Sequence, residues 1–311
     1  MSTYKKIFLI VNPAAGGSEN RSLSCFNTIL KKRGYEVIIK ETNYKGHCEE
    51  ICKEISKDKS FQNNTLIIAC GGDGTYNEVA NGLVYSNIPM AVLPLGTTSV
   101  LARELFIPLK IDDAIETILN GRVIFANLGL IKFLKQTNLK SRYFILMAGI
   151  GYDAETVKNV DLRKKRIFGK FAYISSGMKT FFTYKTSHID VRVDENYDID
   201  CSNIIICKSS RYGGSFIISP EATLLSPYFY CFTTVSSDKK SLLKYILAIL
   251  SGQHLRLKDI RYFKAHNLII EGNGSIQIDG DYLGSLPISV SIAEKAIRLV
   301  VSQKFLDNKA Q

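Results

Sequence analysis

The sequence predicts an α/β domain built on a doubly wound parallel sheet, followed by a second domain that is mainly an antiparallel β-sandwich. Three observations carry this expectation. From residue 7 to about 120, apolar strand segments at 7–11, 35–39, 65–70 and 90–93 alternate with helical periodicities, and strands separated by helices pair in parallel. After Arg122 the texture changes to short segments rich in β-branched and aromatic residues, at 123–132, 142–149, 188–194, 202–208, 229–235, 267–270 and 275–278, as antiparallel strands require. Finally, 311 residues are more than one hydrophobic core usually holds, so two domains are expected.

The first strand, Ile7 to Val11, ends in a tight turn, Asn12-Pro13-Ala14-Ala15-Gly16-Gly17. Behind it, Leu23, Phe26, Ile29 and Leu30 recur at helical spacing, as do Ala114, Ile115, Ile118 and Leu119 at the end of the domain. Cys48, Ile51, Cys52 and Ile55 stand at i, i+3, i+4 and i+7, which places both thiols on the buried stripe of an amphipathic helix. The group of His47, Cys48 and Cys52 therefore reads as core packing, not as a metal site. Seven cysteines with no Cys-x-x-Cys pair argue likewise against a disulfide framework or a zinc ribbon.

The strand Leu66-Ile-Ile-Ala-Cys70 runs into Gly71-Gly72-Asp73-Gly74-Thr75-Tyr76-Asn77-Glu78. Glycines without a Cβ let the chain turn sharply and lay backbone N–H groups against an anion, while Thr75 and Asn77 can open a helix whose N-terminus favours negative charge. Asp73 would repel a bare phosphate, so a cation must sit between, and Mg²⁺ is usually held by one or two carboxylates plus phosphate oxygens. A third turn, Pro94-Leu95-Gly96-Thr97-Thr98-Ser99, follows Met90 to Leu93 and is small and hydroxyl-rich. Three such turns after buried strands match the rule that ligands of open α/β sheets collect at the carboxyl ends of the strands. The chemistry they imply is that of a magnesium nucleotide.

These residues carry a family resemblance. Asn12-Pro13 with Gly16, Gly71-Gly-Asp-Gly-Thr75 with Asn77-Glu78, Pro94-Leu-Gly-Thr97 with Ala102-Arg103, and Gly149-Ile-Gly-Tyr-Asp-Ala154 resemble the diacylglycerol kinase catalytic-domain family. Downstream, Arg211-Tyr-Gly-Gly214, Pro220-Glu-Ala222 and Gln277-Ile-Asp-Gly-Asp281 fall in the family's order. The resemblance implies an NAD-kinase- and diacylglycerol-kinase-like fold and transfer of the γ-phosphate of ATP, with Mg²⁺, to a lipid hydroxyl of diacylglycerol or of a sphingoid or ceramide type. It implies a nucleotide-binding domain over 1–122, to which about 300–311 returns, and a lipid-substrate domain over 123–299. By position it assigns the nucleotide to Asn12, Pro13, Ala14, Ala15, Gly16, Thr42, Gly71, Gly72, Asp73, Gly74, Thr75, Tyr76, Asn77 and Thr97. Thr42 enters because the family has a threonine ahead of a Gly-His pair, here Gly46-His47. Asp73 takes the Mg²⁺ end, directly or through water, and the general base falls on Asp281.

Three departures from the family pattern stand out. Most bacterial members carry glutamate where this chain has Asp281, and a carboxylate withdrawn by about 1 Å can cost around a hundredfold in rate. Asp279 and Asp73 are therefore alternative candidates for the base. Near Ala222, members commonly carry Asp-Gly in a structural Mg²⁺ loop, where this chain has Ser226-Pro227; without that carboxylate the structural metal is not expected. The asparagine usual after Gly-Thr-x is Ser99 here. Two other readings stay open: an NAD kinase, which shares Gly-Gly-Asp-Gly-Thr, and a lipid- or nucleotide-binding protein without catalysis.

The formal charge of +11, from 40 Lys plus Arg against 29 Asp plus Glu, first suggests nucleic acid. No zinc finger, RNA-binding signature or continuous basic helix organises it, so no nucleic-acid partner is expected. The densest run is Arg163-Lys-Lys-Arg166, interleaved downstream with Phe168, Phe171, Tyr173, Phe181, Phe182 and Tyr184. Basic and aromatic residues together suit the surface of an anionic bilayer, and equally a solvated helix that covers its core with those aromatics. No stretch reaches eighteen apolar residues and the start, Ser2-Thr-Tyr-Lys-Lys6, lacks a signal-peptide layout. A cytoplasmic enzyme, peripheral at the inner membrane face, is expected; the sequence carries no signal of oligomeric state.

Overall fold

A computed structural model of the chain describes residues 4–13, 20–96, 98–135, 141–160, 170–236 and 238–309. The chain divides into two units, Met1–Ala126 with Lys295–Gln311, and Asn127–Glu294, against expected divisions at 122/123 and 299/300.

In the first unit, β1 (Lys6–Val11), α1 (Asn20–Lys32), β2 (Glu36–Glu41), α2 (His47–Lys57), β3 (Thr65–Gly71), α3 (Asp73–Leu83) and β4 (Met90–Pro94) alternate, followed by α4 (Val100–Glu104) and α5 (Ile111–Leu119). The strands pair in parallel in the order β2-β1-β3-β4, with Lys6 opposite both Glu36 and Thr65, and Ile67 opposite Met90. β3 is buried along its whole length, which is why it reads as an unbroken apolar run and not as an alternation. The α2 stripe of Cys48, Ile51, Cys52 and Ile55 is buried as its spacing predicts. Burial pushes the Cys48 thiol up to about 12 and the Cys52 thiol well above its ordinary value, so neither is a thiolate ligand at neutral pH.

In the second unit, β5 (Arg122–Phe133), β6 (Arg142–Phe144) and β7 (Met147–Ile150) lead into α6 (Tyr152–Lys158) and α7 (Lys170–Thr183). Next come β8 (His188–Val193), β9 (Tyr197–Cys201), β10 (Asn203–Cys207), the short pair β11 (Arg211–Tyr212) and β12 (Phe216–Ile217), β13 (Phe229–Thr234) and α8 (Lys239–Leu250). The last strands are β14 (Ile260–Ala265), β15 (Asn267–Asn273), β16 (Ser275–Ile278), β17 (Asp281–Ser285) and β18 (Ile288–Val301), before α9 (Gln303–Lys309). One antiparallel sheet runs β14-β13-β10-β7-β16-β17; a second layer is formed by the first half of β18 with β15, β8 and β9. Ile150, Ile204, Ile206, Phe229 and Ile276 from the first layer meet Ile189, Val191, Leu268, Ile288 and Val290 from the second in one core, the arrangement of a β-sandwich. The sequence expects the chain to rejoin the first unit at about 300. The structure brings it in at Lys295, inside β18, where φ is +48°, and pairs β18 in parallel with β4 at Leu299 and Met90. Among the described residues, no helix is long and apolar enough to cross a membrane.

Candidate active site

The carboxyl ends of β1, β3 and β4 bring three turns of the first unit together. Gly71 closes β3, and its carbonyl accepts hydrogen bonds from the amides of Leu95 and Gly96, both at 3.0 Å, and from the Tyr76 hydroxyl at 2.8 Å. A Cβ on Gly71 would lie 2.5 Å from Thr75 Oγ1, and one on Gly96 would lie 2.7 Å from the Cα of Gly72. Both turns therefore need glycine for close approach. Asn12 Nδ2 donates to Thr75 Oγ1 at 3.2 Å, tying the first turn to the second. Thr42 is buried at the same end of β1, where its amide donates to the Val11 carbonyl at 2.9 Å. Of the other predicted nucleotide residues, Pro13 follows Asn12 at the surface, whereas Ala14, Ala15, Gly16 and Thr97 lie outside the described residues.

The helix after the glycine turn opens at Asp73, two residues before Thr75, with Gly72 as its cap and no capping side chain. Asp73 in the first turn explains the earlier start, because a carboxylate is favourable there. With Gly72 at the cap position, this eleven-residue helix carries no cap side chain over its N-terminus, an end whose N–H groups and dipole favour a phosphate. Tyr76 and Asn77 do not face outward. Tyr76 is fully buried, its hydroxyl shared between the carbonyls of Gly71 and Leu93, and Asn77 is buried beside Asn81, whose Nδ2 donates to it. Tyr76 holds the turn in place from behind, and Asn77 is tied to the next turn of its own helix.

Asp73 itself is committed to structure as well as to charge. Its two carboxylate oxygens accept from the amides of Val100 and Leu101, each at 3.0 Å, so it caps α4 and joins the second turn to the third. Ser99, just before α4, sits in the left-handed region at φ +42° and donates to the Gly96 carbonyl at 3.0 Å. Asparagine tolerates that backbone best among non-glycine residues, which gives a physical reason for the residue the family pattern places there.

In the second unit the motifs quoted from the sequence converge on one hairpin. Ile278 pairs with Asp281 across a two-residue turn, Asp279-Gly280, with φ of +48° and +86°; this is the Asp-Gly form of a type I′ turn. Asp279 and Asp281 thus stand on either side of a chain reversal. The Asp279 carboxylate accepts from the amides of Ile145 at 2.8 Å, Leu146 at 2.8 Å and Met147 at 3.0 Å, which ties the turn to β7. Gly280 N donates to Gln277 Oε1 at 2.8 Å, and Gln277 Nε2 donates to Asp153 Oδ2 at 2.7 Å. The Tyr212 hydroxyl donates to Asp153 Oδ1. Although part of the Asp153 surface stays accessible, burial raises its carboxyl above the usual range, against the lowering effect of these two hydrogen bonds. A carboxylate accepts only, so it forces Gln277 to present its NH₂ to Asp153 and its oxygen to Gly280. Gly149 makes room, since a Cβ there would lie 2.0 Å from Asp153 Oδ2. Sequence reasoning quoted Gly149, Asp153, Tyr212 and Gln277 without assigning them this role.

In the loop around Ser226, where the family carries a structural Mg²⁺, the described residues do not fit a divalent ion. Lys208 is fully buried, and its amine donates to the carbonyl of Ser226 at 2.5 Å and, at 3.4 Å, to that of Tyr228. Asn127 Nδ2 also donates to the Ser226 carbonyl at 3.0 Å. The Ser226 carbonyl is therefore already taken by two donors, and the Lys208 amine stands in the loop where a cation would sit, repelling a divalent ion whenever it is protonated. Burial pushes Lys208 down to about 7. Among the described residues, the group whose geometry could hold a metal is His188, Asp190 and Asp200, exposed on β8 and β9 and remote in sequence from every glycine turn.

Comparison with known proteins agrees with this arrangement. The family model "Diacylglycerol kinase catalytic domain" matches residues 6–131, and "YegS C-terminal NAD kinase beta sandwich-like domain" matches residues 147–301. The chain belongs to the diacylglycerol kinase catalytic-domain family. Members named diacylglycerol kinase from Bacillus subtilis and Staphylococcus saprophyticus are 28% and 29% identical, each covering 91% of this chain, with 92% and 91% of the relatives covered. The chain is thus a member of a phosphotransferase family of lipid kinases. A crystal structure of a diacylglycerol kinase from Bacillus anthracis shares the fold at a TM-score of 0.72 and 19% identity, covering 98% of this chain and all of that one. Yeast NADH kinase is a more distant neighbour, with a TM-score of 0.50 and 14% identity over 97% of this chain and 84% of that one.

Proposed function

We propose that this chain transfers the γ-phosphate of ATP to the free hydroxyl of a diacylglycerol-type lipid. The observation that carries the reading is the gathering of Asn12, Thr42, Gly71, Gly72, Asp73 and Thr75 at the strand ends of the first unit, beside the N-terminus of α3. Relatives named diacylglycerol kinase over nine-tenths of the chain favour that acceptor over sphingoid, ceramide or NAD. Phosphoryl transfer needs positioning and charge stabilisation more than covalent help. The backbone N–H groups after Gly71 hold phosphate oxygens. Bound Mg²⁺ supplies neutralisation of the phosphate charge, and Asp73, fixed by the amides of Val100 and Leu101, places a negative group toward it. Asp281 takes the proton of the acceptor hydroxyl. Asp279 is reserved for the turn, because its oxygens already accept three amides. Asp153 and Gln277 act as positioning residues for that turn. The protein works at the cytoplasmic face of an anionic membrane, where its acceptor resides.

The test is transfer from radiolabelled γ-phosphate ATP with Mg²⁺ to diacylglycerol, ceramide, sphingosine and NAD in parallel. Label in the product of diacylglycerol is the expected result. Label on NAD alone would replace the reading with an NAD kinase, and no transfer to any acceptor would leave a binding protein. The run Arg163 to Arg166, which the sequence associates with the membrane, lies outside the described residues.

A further inference from the structure

The second unit exposes apolar side chains where a surface helix would ordinarily show polar ones. On α8, Leu242, Tyr245 and Ala248 face the interior, while Leu243, Leu247 and Leu250 are 49%, 57% and 53% exposed. Those three stand at i, i+4 and i+7 and so form one outward stripe. Beside it, α7 exposes Met178 and Phe182, at i and i+4, to 63% and 68%. The two helices pack together, and Lys239, four residues before Leu243, holds its ammonium 5.7 Å from the centroid of the Phe182 ring. The rows are thereby joined into a single patch. Contiguous exposed apolar surface of this kind marks a place where something docks.

Charge identifies the partner. The sequences of α7 and α8 hold five lysines and no carboxylate. The nearby acids are engaged: Asp238 caps α8 through the amides of Lys240 and Ser241, and Asp259 is paired with Lys244 and Tyr245. Apolar side chains flanked by lysine suit the boundary between headgroups and acyl chains of an anionic bilayer, where the stripe is buried and the exposed Lys179, Lys239 and Lys240 reach lipid phosphates. We infer that the outward faces of α7 and α8 are the surface by which this protein docks on an anionic membrane. The inference rests on the lipid-kinase reading only in supposing that the acceptor lies in a bilayer, and vesicle binding is measured without any phosphoryl transfer.

The chain contains no tryptophan, so Leu247→Trp introduces a single fluorescent reporter at the centre of the stripe. With vesicles of phosphatidylcholine and about one third phosphatidylglycerol, its emission should shift to the blue and become protected from iodide, less so at high salt or with phosphatidylcholine alone. The triple variant Leu243→Gln, Leu247→Gln, Leu250→Gln should lose sedimentation with the same vesicles by about tenfold per leucine. Because all three side chains are exposed, its thermal midpoint should match the parent's. The inference is overturned if the Leu247→Trp emission stays unchanged while the protein sediments, or if the triple variant sediments like the parent. It is equally overturned if sedimentation equilibrium shows a dimer that the triple variant dissociates, since the stripe would then be covered by a second copy. A protein that docks but transfers no phosphate would refute the kinase reading alone.

Discussion

Replacing Asp279 and Asp281 separately with asparagine separates the carboxylate that holds the fold from the one assigned to chemistry. Asp279 Oδ1 serves the amides of Leu146 and Met147, and Oδ2 serves that of Ile145. An asparagine can keep its oxygen on the first two, but its NH₂ then faces the third amide. One charge-assisted bond is lost and two are reduced to neutral ones. With charged bonds contributing about 1.5–3 kcal/mol and neutral ones about 0.5–1.5, the bond lost and the two weakened together cost about 4–6 kcal/mol. That corresponds to a drop of about 8–24 °C in the thermal midpoint. Asp279→Ala should fall further, because all three amides lose their acceptor and alanine tolerates φ of +48° poorly. Asp281→Asn should leave the midpoint within about 2 °C, as for other substitutions away from the core, and lower kcat by about 10²–10⁴ with ATP binding intact. Calorimetry, combined with initial rates taken well below every midpoint, reads both effects. If Asp279→Asn keeps the wild-type midpoint and loses turnover, the amides do not need that carboxylate and the base moves to Asp279.

Asp73→Asn should cost both activity and stability, the midpoint falling by about 3–10 °C as one of the two bonds to the start of α4 is lost; calorimetry showing no change would refute its role as a cap. Asp153→Asn lets Gln277 reverse, so Gly280 loses its acceptor; kcat should fall about tenfold, the value of one hydrogen bond, while the KM for ATP holds. A KM rise at constant kcat would remove Asp153 from the positioning of the turn. Lys208→Met should lower the midpoint by about 2–10 °C by leaving carbonyls without a donor, whereas wild-type protein free of nucleotide should melt alike in Mg²⁺ and EDTA; a loss in EDTA would restore the structural metal. Because the folded chain holds Lys208 near 7 against an ordinary 10.5, it binds fewer protons than the unfolded chain between those values. Its contribution to stability therefore rises with pH across that window, and Lys208→Met should flatten the slope in pH-dependent denaturation.

The parallel sheet and its glycine turns were legible because buried strands and tight turns leave local marks: an apolar run, then residues without side chains. Elements whose pattern depends on a distant partner were not. Tyr197–Cys201 carries Asp198 and Asp200, poor strand formers, yet Asp198 lies outward against Arg192 at 3.1 Å. In Ile288–Val301 the alternation breaks at Glu294 and Lys295, where the left-handed residue shifts the phase. Lys239–Leu250 shows little contrast between faces because its outward side is leucine as well. At the candidate site, sequence reasoning could place Asp73 and Asp279 in motifs but could not see that their oxygens accept backbone amides. Asp-Gly at 279–280 was the local signal for the hairpin, and Lys208 had none, since its partners are carbonyls contributed eighteen and twenty residues on.

Where Gly96 approaches Gly72, the wall of the corner proposed to hold the nucleotide is formed by backbone. Such a wall has no side chain to exchange, so its affinity for an anion cannot be graded by substitution; each glycine is either kept or the two strand ends are forced apart. Under the proposed function, adjustment of nucleotide preference has to come from side chains such as Asn12 beside Thr75, because Ser99 is buried and already bonded to the Gly96 carbonyl. Under that function, the corner is therefore rigid toward the phosphate and open to change in what it accepts around that phosphate.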